Sequence, residues 1–201
     1  MSAKRHAPAA LRNREAIAEV LSRELPASGT VLEIAAGSGE HAVFFAEHFG
    51  ALTWLPTDPS PEALASIAEY RADYPGTNLS APVMLDAADP DSWPVGEAAA
   101  LVCINMVHIS PWAATQGLFR GAARLLGTGG GPLILYGPFV EDGIATAASN
   151  LAFDESLKSR DTRWGLRRAE DLDSLAAAHG LARAARHAMP ANNLSLVFRP
   201  I

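Results

Sequence analysis

The 201-residue sequence predicts an α/β fold built on a doubly wound, mostly parallel sheet. Short apolar runs alternate with amphipathic segments, and parallel strands that are covered on both faces read as continuous apolar runs of this kind. Two late strand candidates, residues 182–189 and 194–198, are joined by Pro190-Ala-Asn-Asn193 and predict a hairpin. We therefore expect seven strands, the last one antiparallel, with helices on both faces of the sheet.

Each predicted element has a local signal. Ser60 with Pro61 predicts a capped helix start with proline at the first helical position. Residues 139–168 are polar and carry no clear period, so we expect an irregular segment there. The predicted helices cover residues 9–25, 40–49, 62–74, 110–126 and 169–179, and the earlier strands cover residues 30–35, 52–58, 81–86, 101–106 and 132–137.

The composition fits one domain spanning residues 1–201, because 49% of the residues are apolar and can form a full core. The 22 acidic residues outnumber the 16 basic ones, so we do not expect a nucleic acid partner. Cys103 is the single cysteine, which excludes an intrachain disulfide and disfavours a cysteine-built metal site. We expect no metal.

The N-terminal residues are positively charged but are not followed by an apolar segment, so we expect no secretory signal. No apolar stretch approaches the roughly 20 residues that a membrane-spanning helix needs. A cytoplasmic protein without membrane contact is the expectation. The oligomeric state is not indicated by the sequence.

Residues 30–41 combine a buried strand, a glycine turn and a helix start. Gly37 and Gly39 permit backbone conformations that other residues avoid, and they leave room for a ligand near the main chain. The helix start beyond them supplies unpaired N–H groups. Glu33 is unusual here, because a charge inside an apolar strand is costly to bury without a partner.

Acids also follow the next two strands. In a doubly wound sheet, ligands bind beyond the carboxyl ends of the strands, so the glycine turn, Asp58 and Asp86 are expected along one edge. Asp58 can accept hydrogen bonds from both ribose hydroxyls, since a carboxylate only accepts. Asp86 can accept from an adenine amine, with Ala87 leaving space for the ring. Together these positions predict an adenosine-type ligand.

Two adenosine cofactors fit the glycines. The segment from Gly37 to Ala42 satisfies the dinucleotide pattern with alanine in the last place, so an NAD-dependent oxidoreductase is one alternative. Glu33 and Glu40 would repel a diphosphate but attract a ligand carrying ammonium and sulfonium cations. The terminal hairpin also fits poorly with the usual dinucleotide-binding sheet. A non-catalytic cofactor-binding or partner-binding domain is the other alternative.

The motif Glu33-Ile-Ala-Ala-Gly37-Ser-Gly39 resembles the first motif of class I S-adenosylmethionine-dependent methyltransferases, which have a Rossmann-like fold. The chain is more narrowly similar to the family containing DUF938 and methyltransferase-like protein 26. That similarity is carried by three segments, which are Ala9-Ala-Leu-Arg12-Asn13-Arg, Ile104-Asn105-Met106-Val-His108-Ile-Ser-Pro-Trp112, and Ser149-Asn150-Leu-Ala-Phe153-Asp154 with Arg163-Trp164-Gly165. It implies S-adenosylmethionine as cofactor and methyl transfer as activity, but not the acceptor.

The resemblance also implies roles for single residues. Glu33 would orient the methionine amine, and Asn105 would lie near the reacting methyl group. Ala35 stands where the superfamily often has glycine, so its methyl group narrows the path near the methionine end. The backbone at Ala35, Gly37 and Gly39 would line that end, Asp58 would hold the ribose, and Asp86 with Ala87 would hold the adenine.

The acceptor side is less specific, and we expect a small molecule there. His108 is the candidate general base, the alternative being a histidine bonded to backbone beside a helix. The segment 139–168 is expected to act as a lid or substrate loop, since long loops often do, and the segment 1–28 as a helical cap. The substrate-side candidates are Asn150, Asp154, Arg163 and Trp164, joined by Arg12 and Asn13; a lid held shut by Arg163 and an Asp is the alternative reading.

Overall fold

The computed structural model describes residues 2–127 and 130–201. Seven strands form one sheet in the order β3-β2-β1-β4-β5-β7-β6. Their bounds are Gly29–Ile34 (β1), Leu52–Asp58 (β2), Val83–Met84 (β3), Ala100–Ile104 (β4), Leu133–Gly137 (β5), Leu181–Met189 (β6) and Asn193–Pro200 (β7). Strand β1 pairs in parallel with β2 and β4, at the point where the strand order reverses. The predicted doubly wound sheet is confirmed.

The last strand is antiparallel, as predicted. Strand β7 pairs antiparallel with both β5 and β6. The hairpin turn places Ala191 and Asn192 at positive φ, which reverses the chain sharply. This hairpin ends at the same edge of the sheet as the carboxyl end of β5, because Gly137 of β5 is paired with Leu194 of β7.

The described part of the chain contains six α-helices, and both faces of the sheet are covered by helices. Their bounds are Pro8–Glu24 (α1), Glu40–His48 (α2), Pro61–Asp73 (α3), Trp112–Leu126 (α4), Ala148–Arg160 (α5) and Ala169–Ala178 (α6). On one face, Ile17 and Leu21 of α1 pack in a core with Phe45 of α2. On the other face, Leu118 of α4 and Leu172 of α6 belong to a second core. The expected helices on both faces are therefore present.

Two local predictions need correction. Residues 139–168 are not irregular throughout, because α5 occupies the middle of the segment. Its buried residues are Asn150 and Leu157, so no apolar stripe revealed the helix in the sequence. Strand β3 contains two residues rather than the six of the predicted 81–86. The capped start of α3 is confirmed, since the side chain of Ser60 accepts a hydrogen bond from the Ala63 N–H.

Among the described residues, every helix is too short or too polar to cross a bilayer.

Candidate active site

The turn after β1 has an unusual backbone. Ala35, Gly37 and Gly39 all have positive φ, at 57°, 61° and 92°. A side-chain carbon at Gly39 would lie 2.9 Å from the Cα of Ile67, so only glycine fits there. Ala35 holds a conformation that costs an L-residue roughly 1–2 kcal/mol. The turn is therefore a locally strained segment that the surrounding sheet and helices hold in place.

Asp58 fixes this turn to the end of β2. Its Oδ2 accepts the Gly37 N–H at 3.0 Å, and its Oδ1 accepts the Ser60 N–H at 2.9 Å. The side chain is 7% exposed. Each carboxylate oxygen has two acceptor positions, so both oxygens retain capacity for a further donor. The carboxylate lies next to Pro59, which lines the pocket described below.

Glu33 lies buried behind the turn, with 2% of its surface exposed. Its Oε2 accepts the indole N–H of Trp54 at 2.6 Å. Burial is the main cause of a pKa of about 7 for the Glu33 carboxyl; the hydrogen bond from Trp54 lowers the pKa, and the charge of Asp58 raises it. A cation placed nearby would favour the ionised form, whereas a second anion would not.

A first pocket, which we name the turn pocket, adjoins Ala35 and has a volume of about 480 Å³. It brings together Ala35, Asp86 and Ala87, which the sequence assigned to the cofactor. Arg163 and Trp164, which the sequence assigned to the substrate, line this same pocket. The rest of its lining is Ile34, Pro59, Leu85, Ala88, Met106, Ile109, Ser110, Pro111, Ala113, Ala114 and Asp161.

A second pocket, which we name the hairpin pocket, has a volume of about 560 Å³ and includes the β6–β7 turn in its wall. It brings together the predicted residues Arg12, Asn13, Asn105 and Asn150. Asn105 lines the hairpin pocket and its neighbour Met106 lines the turn pocket, so both pockets border the turn that follows β4. The rest of its lining is Ala9, Ala16, Tyr136, Pro138, Ser149, Phe153, Pro190, Ala191, Asn192 and Asn193.

Arg12 and Tyr136 differ in how they are held. Arg12 is exposed and has no ion pair or hydrogen bond within residues 2–127 and 130–201. Tyr136 is 4% exposed, and burial raises the pKa of its phenol, while a hydrogen bond with Asn13 opposes the rise. Tyr136 was missed in the sequence because it continues the apolar run of β5. Its place at the carboxyl end of that strand is the signal that identifies it.

His108 does not contact either pocket. Its side chain is completely buried, its Nδ1 accepts the Arg167 N–H at 3.2 Å, and its ring lies 4.7 Å from that of Phe139. Burial, followed by the charge of Arg167, lowers the pKa of the imidazole to about 3. His108 lines neither pocket, and its Nε2 is buried without a hydrogen-bond partner among the described residues, so its role as general base stays a prediction.

Arg167, which the sequence did not single out, fastens the segment 161–168 to the turn after β4. Its guanidinium donates to the carbonyl of Val107 at 2.8 Å and to that of Ser110 at 2.7 Å. Asp154 braces the same segment by accepting the Leu166 N–H at 2.8 Å. Asp154 lines neither pocket, and its role in binding substrate stays a prediction.

Glu40 also has a different partner from the one expected. Its Oε2 accepts the Ala7 N–H at 2.7 Å, and its Oε1 lies 3.1 Å from Nδ1 of His6. Glu40 therefore anchors the segment before α1 and lines neither pocket. Glu33 and Glu40 were both expected to repel a diphosphate ligand. Only Glu33 lies directly behind the glycine turn, as that argument requires.

Residues 4–200 match a family described as a protein of unknown function, DUF938. Solved methyltransferase structures share the fold. An O-methyltransferase family 2 protein from Planctomyces limnophilus, in complex with apigenin, superposes with a TM-score of 0.79 at 17% identity, over 96% of this chain and 57% of that one.

CalO1, a methyltransferase of calicheamicin biosynthesis solved with S-adenosylhomocysteine (SAH), gives a TM-score of 0.74 at 19% identity, over 93% of this chain and 55% of that one. Magnesium protoporphyrin IX methyltransferase from Synechocystis, also with bound SAH, gives a TM-score of 0.68 at 14% identity, over 94% of this chain and 82% of that one. The chain thus spans little more than half the length of the first two proteins. These similarities show the fold.

Proposed function

The chain belongs to the DUF938 family and is a class I S-adenosylmethionine methyltransferase-like protein, and from this premise we propose that it transfers a methyl group from S-adenosylmethionine to a small molecule. The turn pocket would hold the adenosine of the donor. The hairpin pocket would hold the acceptor. The junction between Asn105 and Met106 would be the place where the two meet.

The observation that carries this proposal is the arrangement of acids around the turn after β1. Asp58 is bonded to the Gly37 N–H, Asp86 and Ala87 line the turn pocket, and Glu33 is buried behind the turn. A dinucleotide would bring a diphosphate towards these carboxylates, which costs electrostatic energy. The donor instead brings an ammonium group and a sulfonium centre, which the same carboxylates attract.

The bound donor supplies an activated methyl group on sulfur, so the protein has mainly to align the reacting atoms. In our proposal Asp58 accepts from the ribose hydroxyls with the lone pairs that Gly37 and Ser60 leave free. Asp86 accepts from the adenine amine, and Glu33 binds the methionine amine. Asn105, which lines the hairpin pocket, would direct its amide towards the acceptor.

Two segments would shape access to the acceptor. Helix α1, within the expected cap of residues 1–28, contributes Ala9, Arg12, Asn13 and Ala16 to the hairpin pocket. Helix α5, within the expected lid of residues 139–168, contributes Ser149, Asn150 and Phe153. We propose that these two helices enclose the acceptor and exclude water from it.

Calorimetric titration of the protein with SAH and, separately, with NAD tests the proposal. We expect SAH to bind and NAD not to bind. Binding of NAD alone would support the oxidoreductase alternative and overturn the proposal. Binding of SAH without methyl transfer to any component of a cell extract would leave a cofactor-binding module as the better description.

A further inference from the structure

The hairpin pocket contains few groups that can take up a proton. Among its described lining residues, the titratable side chains are Arg12 and Tyr136. Arg12 is a cation, and the raised pKa of Tyr136 keeps the phenol protonated at neutral pH. Neither side chain can act as a general base there.

Glu141 lines a neighbouring pocket that shares Asn150 with this one, and it is paired with Arg186. Three further titratable side chains also have other partners. Nε2 of His41 lies 2.8 Å from Oδ1 of Asn13, and burial lowers the pKa of that imidazole to about 4. His108 is buried against Arg167, and Glu33 is bonded to Trp54. None of the three lines the hairpin pocket.

This arrangement restricts the acceptor atom. A hydroxyl or an ammonium group must lose a proton to become a nucleophile, and the base must lie within hydrogen-bond reach of that proton. A carboxylate is already ionised at neutral pH, because its pKa is about 4 in water. A pocket without a base therefore favours an acceptor that arrives as an anion.

Arg12 and the apolar residues of the pocket wall indicate the other chemical features of the acceptor. A guanidinium matches the geometry of a carboxylate and stays charged, and Arg12 has no acidic partner among the described residues. Phe153 is 38% exposed and lines the same pocket, together with Ala9, Ala16 and Pro138. These residues offer an apolar surface beside one positive charge.

We propose that the acceptor is a small organic acid with an apolar body, that Arg12 draws its carboxylate into the hairpin pocket, and that the carboxylate is the group methylated. This inference rests on the methyl transfer proposed above. A carboxylate oxygen forms the new O–C bond while the C–S bond of the donor breaks, and the electron pair stays on sulfur. The products are a methyl ester and SAH, and no proton is released.

The carboxylate of the donor itself is the competing partner for Arg12. No residue of the turn 35–39 lines the hairpin pocket, and Arg12 shares that pocket with α5 and the β6–β7 turn. Arg12 is therefore assigned to the acceptor. The affinity for SAH distinguishes the two partners, because SAH carries the same carboxylate as the donor.

The binding test uses protein saturated with SAH and the probes benzoate, phenylacetate and octanoate, each with its amide, and phenyl phosphate. We expect at least one carboxylate to bind ten times more tightly than its amide, and Arg12→Gln to remove that preference without changing the affinity for SAH. Arg23→Gln, at the other end of α1, is the matched control and should change neither. Preference for the phosphate or for the amides overturns the proposal, as does a tenfold loss of SAH affinity in Arg12→Gln.

The product test uses S-adenosylmethionine labelled in its methyl group with a small-molecule cell extract. Mild alkali converts methyl esters to methanol, so we expect the label to be recovered as methanol. Label that survives alkali shows an ether, amine or thioether product and overturns the carboxylate assignment while leaving methyl transfer intact. Failure of SAH to bind at all is a different result and overturns the proposed function itself.

Discussion

The two pockets that border the turn after β4 differ in charge. The lining of the turn pocket includes Asp86 and the ion pair of Asp161 with Arg163, and Asp58 and Glu33 lie behind the turn, so its surroundings are negative on balance. The hairpin pocket has Arg12 as the charged residue of its described lining. A cationic donor and an anionic acceptor would each be attracted to its own side. The difference indicates that charge, as well as shape, separates the two ligands.

The largest expected effect comes from replacing His108. This substitution tests whether the imidazole is a general base or a buried structural group. His108→Ala should lower the free energy of unfolding by about 4 kcal/mol, because it leaves a cavity and removes the acceptor of the Arg167 N–H. Urea unfolding measures this loss. The exposed imidazole of His48 provides the control, since His48→Ala should change stability by less than about 0.5 kcal/mol.

The pH dependence of methyl transfer completes the His108 test. If His108 is structural, the folded variant keeps the profile of the parent protein at low temperature. A profile that loses one limb in the variant would mean that His108 takes part in proton transfer, and the contrast between the two pockets would then need a base on the acceptor side.

The second effect concerns Glu33 and depends on pH. Its folded pKa of about 7 lies above the value of 4.5 expected in the unfolded chain, so the folded state holds the extra proton between these values. Stability is therefore lost as the pH rises through this window. Glu33→Gln, which still offers an oxygen to Trp54, should be more stable than the parent by up to about 3 kcal/mol at pH 8, with no difference below pH 4.5.

Thermal unfolding of the ligand-free protein and Glu33→Gln at pH 4.5, 6 and 8 measures this difference. Saturating SAH should reduce it, because the parent gains the attraction between the carboxylate and the methionine ammonium group. A variant that is less stable at every pH would show that Glu33 is satisfied without a cationic ligand.

The third effect tests the acids on the donor side. Asp58→Ala should weaken SAH binding about 100-fold, or about 2.7 kcal/mol, since it removes the ribose acceptor and frees the Gly37 N–H. Calorimetry measures the change, and Asp91→Ala, an acid paired with Arg120 on the surface, should leave SAH binding unaltered. Unchanged affinity in Asp58→Ala would remove the ribose assignment. Equal loss of carboxylate binding in the hairpin pocket would show that the pockets are not separate.

The smallest effect belongs to Ala35. Replacement by glycine removes the strain of φ 57°, but it also increases the entropy of the unfolded chain. Ala35→Gly should therefore raise the free energy of unfolding by about 1 kcal/mol at most, and SAH should bind slightly more tightly because a methyl group leaves the turn pocket. A decrease of more than about 1 kcal/mol in the free energy of unfolding would mean that packing of the Ala35 methyl group stabilises the fold.

The residues around the turn pocket were more predictable from the sequence than those around the hairpin pocket. The glycine turn, Asp58 and Asp86 are local signals at the ends of successive strands, and the parallel order β3-β2-β1 places those ends side by side. The antiparallel hairpin was equally visible, because a short turn limits how two strands can pair.

The region around the hairpin pocket depends on contacts between distant segments. His108 is buried by Arg167, which is 59 residues away in the chain, and no local pattern predicts that contact. Helix α5 was hidden because its apolar residues Leu151 and Phe153 are exposed rather than packed in a core stripe. Asp154 is an acid in a polar segment and so suggested a binding residue, yet its Oδ1 accepts a hydrogen bond from the Leu166 N–H.

The hairpin pocket joins Arg12 on α1 to Asn193 after β6, which lie roughly 180 residues apart along the chain. During synthesis, strands β1 to β5 and the turn after β1 emerge before the hairpin does. A chain that folds from its N-terminus can therefore form the turn after β1 early. The wall of the hairpin pocket is completed only when the β6–β7 turn forms. The hairpin pocket is therefore complete only in a chain whose whole sheet has formed.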